Sequence, residues 1–205
     1  MKNVLVVDYK MGNIDSIVRG IEECGEKPIV SNRPEDFQAA SSIILPGVGS
    51  FTKAMENIHK YGLEELLREN AVDKKKPLLG ICLGMQILAS KGFEGGETPG
   101  LGLIEGEVVR FQTDDPEIRI PHVGWNEVIF AQNSPLFNNI ESGRDFYFVH
   151  SYHFICADES ISIAYTPYCG DFTSVVCKGN IFGTQFHPEK SQRVGLQLLK
   201  NFLII

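Results

Sequence analysis

The sequence predicts one α/β domain over residues 1–205, an open, mixed, mostly parallel sheet with helices on both faces and a smaller antiparallel portion. Three observations lead there. The first half alternates short apolar runs with segments of helical period, the pattern of parallel strands joined by helical crossovers. The second half is a series of short β-like runs broken by Gly, Pro and Asn. A chain of 205 residues fills one core well and is short for two.

Taken in order, Asn3 to Asp8 (NVLVVD) is a continuous apolar run ending in an acid, which suits a strand buried on both faces. Gly12 and Asn13 open a segment where Ile14, Ile17, Val18 and Ile21 recur at helical spacing, and Gly25 closes it. KPIV (27–30) and SIIL (42–45) are the next strands, a helix starts near Phe51, and PLLGI (77–81) is a fourth strand. A helix is expected from about Gly84 to Lys91. After Gly92 the candidate strands are Glu107–Phe111, Glu127–Phe130, Phe146–Val149, His153–Cys156, Ile161–Tyr165, Ser174–Lys178 and Ile181–Gln185. A last amphipathic segment, Gln192–Phe202, packs Val194, Leu196, Leu198, Leu199 and Phe202 onto the sheet. No internal repeat or linker divides the chain.

Composition acts by exclusion. The net charge of −7 leaves no basic field for a phosphate backbone or an anionic lipid surface, and Lys74-Lys75-Lys76 reads as a solvated loop. Only Val4 to Val7 are apolar in a row before Asp8, too few for a signal-peptide core, and no run is long enough to span a bilayer, so a cytoplasmic protein is expected. The cysteines at 24, 82, 156, 169 and 177 show neither a Cys-x-x-Cys pair nor zinc-like spacing, which indicates no disulfide framework and no metal. GLGLIEG lacks the spacing of a dinucleotide fingerprint, and no cofactor is expected.

Most of these thiols read as small buried hydrophobes. Cys82 is set apart. Gly80-Ile81-Cys82-Leu83-Gly84 has the form Gly-x-nucleophile-x-Gly on a strand-to-helix turn, where residues without Cβ let the backbone pass close to itself. The unpaired N–H groups at the start of the following helix, Leu83's first, favour an anion there and can donate to an oxyanion. In GTQFHPEKSQ (183–192), His187 and Glu189 flank Pro188, and an extended segment would send both side chains to one face. Cys82, His187 and Glu189 thus form a candidate nucleophile, base and orienting carboxylate, with a surface ion pair as the competing reading of the last two. LPGVGSF (45–51) makes a second glycine turn that should share the crevice of Cys82, either as a plain connection or with a peptide unit among Gly47, Val48 and Gly49 turned toward an oxyanion.

GICLGMQ together with FHPEKS resembles the class I glutamine amidotransferase family, whose Cys-His-Glu triad falls on Cys82, His187 and Glu189. DYKMGN (8–13), LPGVGSF, PHVGWN (121–126) and HSYHF (150–154) extend the likeness over nearly the whole chain, toward the branch that supplies ammonia to a (β/α)₈-barrel synthase completing the imidazole ring in histidine biosynthesis. The resemblance implies a flavodoxin-like fold and hydrolysis of the glutamine side-chain amide through a γ-glutamyl thioester on Cys82. It also implies that Gly47, Gly49, Gln86, Glu94 and the backbone at Ser151 and Tyr152 hold the substrate. By the same likeness the Val48 N–H becomes an oxyanion donor after a peptide flip prompted by the partner, and Gly49 and Leu83 belong to that hole. Asn13, His122, Trp125, Asn126 and Lys190 fall at the heterodimer interface.

Some of these positions read two ways. His122 serves equally well as a hydrogen-bonded structural histidine, and Trp125 and Asn126 as a half-buried core edge. Lys190 is either solvated or interfacial. His59, His150 and His153 have weaker settings. Lys10 stands where that branch of the family carries a glycine. Competing functions are the same glutaminase serving a sugar-aminating synthase, a nonspecific cysteine hydrolase, and a non-catalytic scaffold on the same fold.

Overall fold

A computed structural model describes residues 1–205. In chain order its elements are β1 (Asn3–Val7), α1 (Ile14–Glu23), β2 (Lys27–Ser31), α2 (Pro34–Ala39), β3 (Ser42–Leu45), α3 (Phe51–Lys60), α4 (Leu63–Arg68), β4 (Leu78–Ile81) and α5 (Leu83–Gln86). The second half holds β5 (Lys91–Gly92), β6 (Thr98–Pro99), β7 (Gly106–Arg110), β8 (His122–Phe130), β9 (Arg144–His150), β10 (Tyr152–Cys156), β11 (Ser162–Pro167), β12 (Asp171–Lys178), β13 (Ile181–Thr184) and α6 (Gln192–Ile204).

One sheet runs through the molecule in the order β2-β1-β3-β4-β13-β12-β10-β7-β5-β6. Its first five strands are parallel. From β12 the pairing turns antiparallel except between β7 and the two-residue β5, which are parallel, and β11, β8 and β9 form a branch off β12. Alternate side chains of β1 enter opposite cores: Leu5 and Val7 pack with α3 and α5, Val4 and Val6 with α1 and α6. That two-sided burial is why Val4 to Val7 carry no polar residue. No helix is long and apolar enough to cross a membrane.

Four expectations change on contact with the structure. The helix foreseen over 84–91 ends at Gln86, because a following loop takes its carbonyls: Leu101 N–H donates to Ile87 O, Gly102 N–H to Ala89 O, and Leu103 and Ile104 N–H to Leu88 O. Strand β8 begins at His122 rather than Glu127, since the Gly124 and Asn126 that read as turn signals lie within the β8–β9 ladder. The lysine run is not simply solvated: Lys76 Nζ donates to Phe37 O at 2.6 Å and Gln38 O at 2.8 Å, closing the C-terminal end of α2. Pro188–Lys190 is a single 3₁₀ turn, so Glu189 reaches His187 across a turn instead of along an extended chain.

Candidate active site

Three neighbouring parallel strands, β3, β4 and β13, end at the same edge of the sheet, and each delivers one part of the site. β4 is buried along its whole length, and Cys82 follows it with φ 54° and ψ −111°, an unfavourable backbone for a residue with a Cβ. Two glycines permit that turn. A Cβ on Gly84 would stand 1.8 Å from Leu45 O, and one on Gly80 2.6 Å from Gly84 O. The Cys82 N–H donates to Thr184 O at 2.8 Å, which ties the elbow to β13.

Beyond β13, His187 Nδ1–H donates to Glu189 Oε1 at 2.8 Å, with both side chains almost wholly buried, at 2% and 1% exposure. The backbone around them is pinned. The His187 N–H donates to Tyr147 O, and the Ser191 hydroxyl donates to His187 O while accepting from Tyr147 N–H. Burial alone would lower the imidazolium pKa, but the charge of the Cys82 sulfur and the carboxylate of Glu189 outweigh it and push His187 up to about 10. His187 Nε2 and Glu189 Oε2 are buried without a hydrogen bond inside the chain. A cationic imidazole beside a strained, buried cysteine is the pairing that a thiolate nucleophile needs.

The cysteine opens into a cleft of about 330 Å³ whose walls include Gly49, Gln86, Glu94, Pro121 and Tyr152. Gln86 Nε2 donates to Tyr152 O at 2.9 Å, and a Glu94 carboxylate oxygen accepts from Phe51 N–H at 2.7 Å, holding that anion at the start of α3. As the first residue of α5, Leu83 has no helical carbonyl for its N–H. The 46–49 turn, which follows β3, is arranged differently. The Val48 N–H donates to Met11 O at 2.6 Å, away from any oxyanion. Gly47 does not line the cleft: a Cβ there would lie 2.6 Å from the Tyr9 hydroxyl, which itself donates to Pro46 O.

Comparisons with known proteins give the family and the fold. Residues 5–205 match the family Glutamine amidotransferase class-I. The chain belongs to the class I glutamine amidotransferase family. It is 47% identical over 200 residues to imidazole glycerol phosphate synthase subunit HisH 1 of Campylobacter jejuni (strain RM1221), covering 98% of each chain. With imidazole glycerol phosphate synthase subunit HisH of Moorella thermoacetica it shares 45% identity over 202 residues, covering 98% of this chain and 94% of the other. In fold it is similar to a glutamine amidotransferase crystal structure, with a TM-score of 0.73 at 20% identity over 98% of this chain and 97% of that one.

Other predicted positions of this amidotransferase lie outside the cleft. Val123, Trp125 and Ile129 share one face of β8 at 56%, 48% and 44% exposure, interrupted by exposed Glu127, with Trp125 edge-on to Tyr147 and Lys190 over that ring. Asn13 is exposed at the start of α1. His122 takes the structural alternative: it is buried, its ring stacked on Tyr168 and Phe148, and it offers no side chain to the surface. Sequence reasoning passed over Gln185, which is fully buried, donates from Nε2 to Cys82 Sγ at 3.8 Å and accepts from Gln86 at 3.1 Å. Its signal was present, as a polar residue closing an apolar strand two positions before His187.

Proposed function

We propose that this cleft takes glutamine and that Cys82, His187 and Glu189 hydrolyse its side-chain amide. The observation that carries the reading is the buried His187–Glu189 pair set against the strained Cys82 at the cleft floor. Glu94 presents a carboxylate to the substrate's α-ammonium, while Gln86, Gly49 and the backbone at Ser151 and Tyr152 align the rest. The Cys82 sulfur, its proton passed to His187 Nε2, adds to the amide carbon. The oxyanion is met by the Leu83 N–H and, once its peptide turns from Met11 O, by the Val48 N–H. His187 returns the proton to nitrogen as the C–N bond breaks, releasing ammonia and leaving a γ-glutamyl thioester. Water then adds to the thioester carbon, giving its proton to His187, and glutamate departs as Cys82 is restored.

The ammonia passes to a (β/α)₈-barrel synthase subunit docked on Trp125, Asn126, Asn13 and Lys190, and there enters imidazole glycerol phosphate in histidine biosynthesis. The setting is the cytoplasm. Support comes from the relatives described as subunits of that synthase and from exposed Val123, Trp125 and Ile129 on β8. Glutamate release from glutamine by this chain, alone and mixed with the barrel subunit and its nucleotide ligand, tests the assignment. Strong stimulation is the expected result. Turnover indifferent to that partner sends the ammonia to another acceptor, and no turnover with intact Cys82 ends the glutaminase reading.

A further inference from the structure

A single line of hydrogen bonds joins the exposed strand β8 to the sulfur of Cys82. Asn126 Nδ2 lies 3.2 Å from His122 Nε2, His122 Nδ1 3.1 Å from His150 Nε2, and His150 Nδ1 2.8 Å from Tyr152 O. Tyr152 O also accepts from Gln86, Gln86 donates to Gln185 Oε1, and Gln185 donates to Cys82 Sγ. Only one assignment of protons satisfies the histidines. Tyr152 O can only accept, so His150 carries its proton on Nδ1 and accepts at Nε2; His122 must then carry Nδ1–H and accept from Asn126 at Nε2. Asn126 is held in turn by its second bond, to Pro167 O at 3.1 Å.

Both imidazoles must be neutral for this pattern. Burial lowers His122 to about 4. Burial also dominates at His150, where the charges of His122, His153 and His187 add to it against the opposing Tyr152 bond, leaving that ring at about 3. Their surroundings are aromatic, with Phe148, Tyr168, Phe111 and Phe172 packed around the two rings. His150 also lines the glutamine cleft directly.

We propose that His150 is a positioning residue for the cleft, and that the line through His122 makes the placement of Tyr152 O and Gln86 depend on how Asn126 is held at the surface. The proposal rests on the glutamine reading of the cleft. In the free chain Asn126, on the face of β8 opposite Trp125, is held by Pro167 O; a partner seated on the Trp125 face that shifts β8 moves this amide with it, and the change is carried along fixed donors and acceptors toward the pocket. Nothing charged moves along the line; what is transmitted is orientation.

The test measures the glutamine concentration that half-protects Cys82 from iodoacetamide in the full chain without a partner. Labelling is mapped by peptide mass spectrometry, because all five cysteines are free. His150→Leu, which fills the space but removes donor and acceptor, should raise that concentration about tenfold, the effect of one unsatisfied buried hydrogen bond. His150→Asn, with an amide near the position of Nδ1, should recover most of it. Asn126→Ala should raise it about threefold in the native background, the low end for one lost hydrogen bond, and not at all in His150→Leu. Equal effects of Asn126→Ala in both backgrounds, or no rescue by asparagine, overturn the line. If His150→Leu does not fold, an unchanged value for half-exposed Asn126→Ala overturns it alone. Glutamine that fails to protect the unaltered chain instead overturns the glutamine reading, and the line with it.

Discussion

The turn after β4 and the turn after β3 lie side by side in the cleft wall and differ in how far they are assembled. Cys82, His187 and Glu189 are buried, bonded and pinned from several elements. Val48 is 39% exposed, its N–H committed to Met11 O, with Gly49 beside it at φ 112°. Under the proposed mechanism the triad is already assembled in the free chain, while the Val48 N–H must turn from Met11 O before it can serve. On that proposal, such a division would keep the thiol ready while withholding the stabilisation of its transition state until an acceptor subunit is docked.

Removing the assembled half should have the largest effect. Cys82→Ala and His187→Asn are each expected to lower glutaminase kcat by at least about 10⁴-fold, and Glu189→Gln by about tenfold to a hundredfold, because an orienting group contributes less than the nucleophile or base. Steady-state glutamate release with saturating barrel subunit measures all three. Full activity in Cys82→Ala would end the proposed mechanism.

The awaiting half comes next. Val48→Pro has no N–H for either Met11 O or an oxyanion, and kcat should fall about 10²-fold to 10³-fold. Iodoacetamide should still alkylate Cys82 at near the native rate, since the His187–Glu189 pair is untouched. Equal loss of alkylation and turnover would show that the two turns do not act separately.

Protonation sharpens the contrast through stability. His150 and His122 are depressed below the ordinary 6.5, so their contribution is present above pH 6.5 and is lost as pH falls through about 4 and then about 3. His187 is raised, so its contribution is present below pH 6.5 and is lost as pH rises through about 10. Each histidine adds up to about 1.4 kcal/mol per pH unit of slope within its window. Urea unfolding across pH 4–10 should therefore show two limbs, the acid one flattened by His150→Asn and the alkaline one by His187→Asn. Limbs that both variants leave unchanged would remove these groups as the cause.

The parallel core and the grouping of Cys82 with His187 and Glu189 are legible in the sequence because their signals are local. The apolar runs at β1, β3 and β4, the glycine pair around Cys82 and the His-Pro-Glu spacing each sit within a few residues. What was not legible depends on groups far apart in the chain. Nothing near Ile87 says that Leu101 will take its carbonyl, and nothing near Val48 says that its N–H will find Met11. Gln185 lies inside the His-Pro-Glu motif stretch, yet its contacts form only when α5 and β10 bring Gln86 and Tyr152 alongside. The buried state of His122 likewise follows from Tyr168 and Phe148, 46 and 26 residues away in sequence.

The smallest expected effect concerns Lys10. Its φ is 65°, in the left-handed region that costs a residue with a Cβ about 1 kcal/mol. The Asp8 carboxylate offsets part of that by accepting from the Lys10 N–H at 3.2 Å and from Nζ at 2.5 Å. The ion pair is exposed on the lysine side and worth little. Lys10→Gly removes the strain and keeps the backbone bond, but it also frees the unfolded chain, so the net change should lie within about 0.5 kcal/mol of zero. Lys10→Ala keeps the strain and loses the pair, and should be the less stable of the two. Both variants lose the Nζ contact and keep the backbone bond, so thermal unfolding that ranked alanine above glycine would mean that the freedom glycine gives the unfolded chain outweighs the left-handed strain at position 10.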